Sequence, residues 1–267
     1  MGDKNSRRPS VRRDVAIFRS LLSRFVSALR STCAVTTAGE VHDGTLHHYA
    51  TIARYATRVP LLLFMSVPEI FTEIYQRKLW GCPESASGWG SALATTVTVR
   101  SELPILIKEL GVDSMLDVAC GDFNWMQHVQ LGVDSYTGAD IVEDLVTQDT
   151  RQFGNGNRRF VTLDIRVDRL PKVDLILCRD CLPHLSFRDI LLSVKNIRKS
   201  NSTYLLTTTY PGRLSNRDTL AGIFRPINLR RPPFDFPEPI KTINEKWTLR
   251  GQAYSDKSLA LWRIEDI

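Results

Sequence analysis

Apolar residues recur along this chain at two different spacings, and the change of rhythm divides it. Val15, Phe18, Leu22, Phe25, Val26 and Leu29 fall at helical spacing, with Arg19, Arg24 and Arg30 between or just beyond them, which predicts a basic amphipathic helix. Residues 31–60 carry no firm period. A new start signal follows: Ser66 as N-cap, Pro68 in the first turn, then Ile70, Phe71, Ile74 and Tyr75 on one helical face. A helical pattern runs over residues 92–110, with Pro104 expected to kink or break it. The rhythm then changes. Short apolar runs predict strands at 114–119, 135–139, 159–163, 173–178 and 203–209, alternating with helices at 124–131, 142–152 and 187–199. This alternation predicts an α/β fold, a doubly wound Rossmann-like sheet that is mainly parallel. Residues 211–239 are rich in Pro, Arg and Phe, have no period and are too long for a plain connection, so a functional loop is expected there. Residues 240–249 and 258–264 predict closing strands. The expected organisation is a basic, partly helical extension over 1–66 and one α/β domain over 67–267. Within that domain, 67–112 form a helical lead-in, 113–210 the ligand-binding core and 211–267 the loop and closing strands.

Composition narrows the choice. At 43% apolar and 24% charged residues, the 267-residue chain has ordinary globular usage, which excludes wholesale disorder. No apolar run approaches the roughly 18–20 residues of a membrane span. The net charge of +6 is unevenly placed: residues 1–30 hold eight basic and two acidic side chains, and the remainder is balanced. A neutral body lowers the expectation of nucleic acid as a partner. Five cysteines, an odd number, and the absence of a secretory pattern point to a reducing compartment, with the cytoplasm expected. Organelle targeting, or contact of residues 1–30 with an anionic membrane surface, are the alternatives. Cys178 and Cys181 have zinc-like spacing, but no second cysteine pair exists, so no metal is expected.

In open α/β sheets, ligands bind beyond the carboxyl ends of the strands. The residues there are Asp117 through Phe123 after the first strand, Asp140 and Ile141 after the second, Asp164 and Ile165 after the third, and Cys178 through His184 after the fourth. Ala119, Cys120 and Gly121 are small enough for a ligand to approach the backbone. Asp140 stands 19 residues beyond Gly121, where an acid grips a ribose diol. Charge then discriminates between adenosine cofactors. A dinucleotide site places glycines and bare amides against a pyrophosphate, whereas here Asp122 stands in that place with Asp117 close behind. Two carboxylates about 4–6 Å from a phosphate would oppose it by a few kcal/mol at an effective dielectric near 20. They suit a cationic nucleoside, S-adenosylmethionine, better than NAD, FAD or ATP.

The run Met115-Leu116-Asp117-Val118-Ala119-Cys120-Gly121 resembles the first motif of class I S-adenosylmethionine-dependent methyltransferases, and Val173 through Cys178 resembles their fourth-strand motif. The wider pattern, from Phe71-Thr72-Glu73-Ile74-Tyr75 through Ser87-Gly88-Trp89-Gly90-Ser91 to Pro232-Pro233-Phe234, is similar to an often bacterial branch of that family. The resemblance implies a seven-strand sheet and S-adenosylmethionine as cofactor, with Asp140 on the ribose and Asp164 on the adenine amine. Cofactor contacts are then expected from Asp117, Ala119, Cys120, Gly121, Asp122, Asp140, Ile141, Asp164, Ile165, Arg179, Gly88 and Ser91. Ala119 and Phe123 depart from the family's glycines. Asp180 and His184 are the candidates to accept a proton from a hydroxyl or amine acceptor. The resemblance implies methyl transfer to a small-molecule or glycan acceptor, because no motif for methylating base amino groups follows the fourth strand. An NAD-linked oxidoreductase and a non-catalytic cofactor-binding protein are the competing readings.

Overall fold

The computed structural model describes residues 65–267. The predicted basic helix at 15–29 and most of the 1–66 extension lie outside the described residues. Helix α1 (Val67–Gln76) begins where Ser66 predicts, with the Ser66 amide donating to Glu69 Oε2 at 2.6 Å. Helix α2 (Val97–Leu110) starts five residues later than the pattern suggests and runs through Pro104 unbroken. Then come β1 (Ser114–Val118), β2 (Ser135–Asp140), α3 (Glu143–Phe153), β3 (Arg158–Thr162), β4 (Leu175–Cys178), α4 (Phe187–Lys199), β5 (Tyr204–Thr209), β6 (Lys241–Asn244), β7 (Leu249–Gln252) and β8 (Ser258–Arg263).

Seven strands form one sheet in the order β3-β2-β1-β4-β5-β8-β6. The first five are parallel, and β8 inserts antiparallel between β5 and β6. The order reverses beside β1, so a crevice opens at the carboxyl ends of β1 and β4. Both faces of the sheet are covered, which is why its strands are continuous apolar runs. Met115, Leu175, Leu177, Leu206, Leu259 and Leu261 pack with Val99, Leu103 and Leu106 of α2 on one face. Their alternate neighbours Leu116, Ile176, Cys178, Leu205, Ala260 and Trp262 pack with Ile190, Val194 and Ile197 of α4 on the other.

Two expected elements differ. Residues 124–131 do not form a helix; only a single 3-10 turn, Met126–His128, is present. The residues before it are engaged elsewhere, Phe123 in a left-handed conformation (φ 54°) and Asn124 in bonds to distant backbone. The expected strand over 240–249 is shortened to β6, Lys241–Asn244, and β7 begins only at its last residue, Leu249. Glu245 turns inward and is buried, and Lys246 adopts φ 54°.

Candidate functional site

Strand alternation sets Asp117 on the α2 face, buried, where the Tyr136 hydroxyl donates to its Oδ2 at 2.7 Å. Burial pushes the Asp117 carboxyl up to about 7, against the opposing pull of the Tyr136 hydrogen bond and the Arg179 charge. The chain then reverses at Gly121, whose φ of 61° and lack of a side chain are both required, since a Cβ there would overlap Ser87 Oγ. Ala119 is half-buried beside it. The Cys120 thiol packs against the β2–β3 floor near Gly138 and Phe160, and burial raises its pKa.

The residues after Gly121 act as a strap. The Asp122 carboxylate accepts from the Ser85 hydroxyl (2.9 Å), the Ala86 amide (2.6 Å) and the Ser87 hydroxyl (3.1 Å), while its own amide donates to Ser87 Oγ at 2.9 Å. Asn124 Nδ2 donates to Glu84 Oε1 (2.7 Å) and to the Ser91 carbonyl (2.9 Å). Residues 84–91 are thereby tied over the glycine turn, with Gly88 buried against Trp80 and Ser91 half-buried. At its far end the same loop meets β4, where a Cβ on Gly90 would lie 2.6 Å from Asp180 Oδ2. Phe123 points the other way, into a cluster with Tyr136, Phe153 and Phe160.

Asp140 closes β2. The Gly121 and Val142 amides each donate to its carboxylate at 3.1 Å. Burial raises its pKa, partly offset by these backbone bonds. Ile141 is half-buried beside it. Asp117, Asp122 and Asp140 therefore converge on one crevice. A fourth acid near them is Asp149 of α3, which is 2% exposed and is not among the strand-end positions. Its position on the apolar face with Leu145 and Val146 was the available signal. Burial, and then the charges of Asp122 and Asp140, push it up to about 8.

Asp164 is held in a local ion pair. Arg166 grips both of its oxygens, at 2.9 and 2.6 Å, and reaches across to Asp189 of α4 at 2.9 Å. This local ion pair ties the β3 end to α4. Ile165 is buried in the core on the α4 face.

At the end of β4, Arg179 is paired with carboxylates. It is buried, it bonds Glu245 through two nitrogens (3.2 and 2.7 Å), and it stands 3.4 Å from Asp180. Lys257, preceding β8, is buried as well and contacts Asp180 at 2.5 Å and Glu245 at 3.3 Å. Two cations and two anions are thus grouped together, balanced in charge, with Asp180 the one partly exposed member. Burial works to raise the Asp180 pKa, but Lys257 and Arg179 outweigh it and bring it down to about 2. His184 lies between the rings of Trp80 (5.3 Å) and Phe224 (5.5 Å). Burial lowers its pKa to about 4 despite the nearby Asp180, and among the described residues its Nδ1 has no hydrogen-bond partner.

This strand order, with one antiparallel strand inserted before the last and the carboxylates gathered beyond β1 and β2, is the class I S-adenosylmethionine-dependent methyltransferase fold. Solved structures share it. Human N-acetylserotonin methyltransferase, determined with S-adenosylmethionine, superposes with a TM-score of 0.52 at 13% identity over 74% of this chain and 60% of that one. This chain thus spans about 60% of the human enzyme. The N-methyltransferase NodS of Bradyrhizobium japonicum, determined with S-adenosylhomocysteine, superposes with a TM-score of 0.50 at 15% identity over 71% of this chain and 97% of that one. No protein-family profile and no curated protein matches the sequence. No described helix is long and apolar enough to cross a membrane.

Proposed function

We propose that the chain is a methyltransferase that moves a methyl group from S-adenosylmethionine to the oxygen or nitrogen of a small-molecule or glycan acceptor. The observation that carries this reading is the meeting of Asp140 with Gly121 at the topological switch point. One Asp140 oxygen accepts the Gly121 amide and the other the Val142 amide. A carboxylate has four acceptor positions, and with the Ile141 amide also bonding to it one position remains for a ribose hydroxyl. Asp117, Asp122 and Asp149 line the same crevice with negative or protonatable groups, a donor set hostile to pyrophosphate and suited to a cationic nucleoside. When bound, that nucleoside supplies an electrophilic methyl carbon. Gly88 and Ser91, on the strapped loop, cover its methionine end.

Asp180 and His184 face the acceptor in this reading. A carboxylate held near 2 and an imidazole held near 4 are poor proton acceptors at neutral pH. Their contribution is to orient the acceptor by hydrogen bonds, in keeping with an in-line displacement that depends mainly on alignment. Calorimetry with S-adenosylhomocysteine and with NADH tests the cofactor class, because binding of NADH alone would overturn it. Asp140→Asn should weaken S-adenosylhomocysteine by about 1.5–3 kcal/mol, the range for a charge-assisted hydrogen bond. Unchanged affinity would remove the ribose assignment.

A further inference from the structure

Asp149 is the one member of the acidic crevice that the hydrogen bonds described above leave aside. Asp117 has Tyr136, Asp122 has the strap and Asp140 has two backbone amides. Asp149 Oδ2 is sealed from solvent and, among the described residues, has no hydrogen-bond partner. A buried carboxyl left in this state is costly, and native structures tolerate such a group where a ligand completes it. The charges acting directly on it are carboxylates, Asp122 of the glycine turn and Asp140 of β2. Its own charge is felt by Tyr75 of α1 and Cys120 of the turn. Strand β3, packed on the same helix, brings Arg158, whose guanidinium lies over the Phe123 ring at 4.9 Å. Asp144, one turn earlier on α3, accepts a bond from Gln76 of α1.

We infer that Asp149 is a positioning residue for the cationic end of the methyl donor, and that it takes up the ammonium of the methionine moiety and surrenders its own proton as it does so. The proton balance is simple: the carboxyl O–H bond breaks, the proton passes to buffer, and the carboxylate accepts an N–H bond from the ammonium. The inference rests on the methyltransferase reading and assigns a role that neither the motif nor the strand-end positions indicated.

The test uses the full chain, S-adenosylhomocysteine as probe, and calorimetry at pH 7 in phosphate and in Tris, two buffers of different protonation enthalpy. The wild type should show buffer-dependent heat equivalent to release of up to about one proton. Asp149→Asn should abolish most of that dependence and weaken binding about ten-fold or more. Thermal melting separates this from a structural role. An orphaned carboxyl replaced by an amide should leave the melting temperature of the free protein unchanged or raised, while shrinking the stabilisation that S-adenosylhomocysteine confers. Equal heats in the two buffers, or wild-type affinity in Asp149→Asn, would overturn this inference alone. Failure of the wild type to bind S-adenosylhomocysteine would overturn it together with the methyltransferase reading.

Discussion

Replacing Glu245 by Gln tests whether the charge network at the end of β4 holds the site together. The Glu245 side chain is fully buried and accepts from Arg179 at 2.7 and 3.2 Å, with Lys257 at 3.3 Å. Gln keeps the shape but removes the charge, so Arg179 and Lys257, each 3% exposed at the side chain, are left to share Asp180. Breaking a buried pair in this way costs about 3–5 kcal/mol, because a desolvated cation is left without its counter-charge. For a body of this size that corresponds to a fall in melting temperature of roughly 6–20 °C. Urea unfolding of Glu245→Gln, Lys257→Met and the double variant forms the decisive cycle. The double variant restores neutrality, so its loss should be smaller than the sum of the single losses by at least about 1 kcal/mol. Additive losses, or a single-variant cost below about 1 kcal/mol, would show that the four side chains are not a mutually dependent unit.

Two further outcomes follow from the geometry. Gly121→Ala should destabilise the protein by about 1–3 kcal/mol, since it adds backbone strain at φ 61° to a clash with Ser87 Oγ. Adding Ser87→Gly should return only the clash, and full recovery in the double variant would refute the strain. For pH, Asp117 has a folded-state pKa near 7, above its unfolded value. The folded state therefore holds the extra proton, and its stabilising contribution is full below about pH 4 and lost as pH rises through 7. Asp117→Asn cannot lose that proton. The stability of the variant relative to wild type should climb between pH 4 and 7 in parallel denaturation curves, and a flat difference would refute the assignment.

Most of the sheet was legible because its strands are buried on both faces. Leu175–Cys178 and Tyr204–Thr209 read as unbroken apolar or β-branched runs, and helix Phe187–Lys199 has the bounds its pattern gave. Legibility ended where a residue's use is decided by a distant partner. Asn124 had an acceptable helix start behind Asp122, but its side chain is held by Glu84 and Ser91, 40 and 33 residues away, and the expected helix reduces to one turn. The partner of Arg179 was not legible because Glu245 lies 66 residues on, nor that of Lys257, because Asp180 lies 77 residues back. Asp117, Asp122 and Asp140 could be placed together from topology alone, since parallel strands deliver their ends to one edge. The Arg166 partner of Asp164, two residues past the end of β3, was not legible in the strand pattern.

The contact between Ser87 and Gly121 has a consequence for how such a sequence can drift. The hydroxyl occupies the space that any side chain at 121 would need, and its own bond to the Asp122 amide depends on that closeness. Positions 87 and 121 are thus bound to a joint choice of size: enlarging the turn obliges the loop to shrink or withdraw. Related sequences should therefore substitute the two sites as a pair, and a lineage that alters one should carry the compensating change at the other.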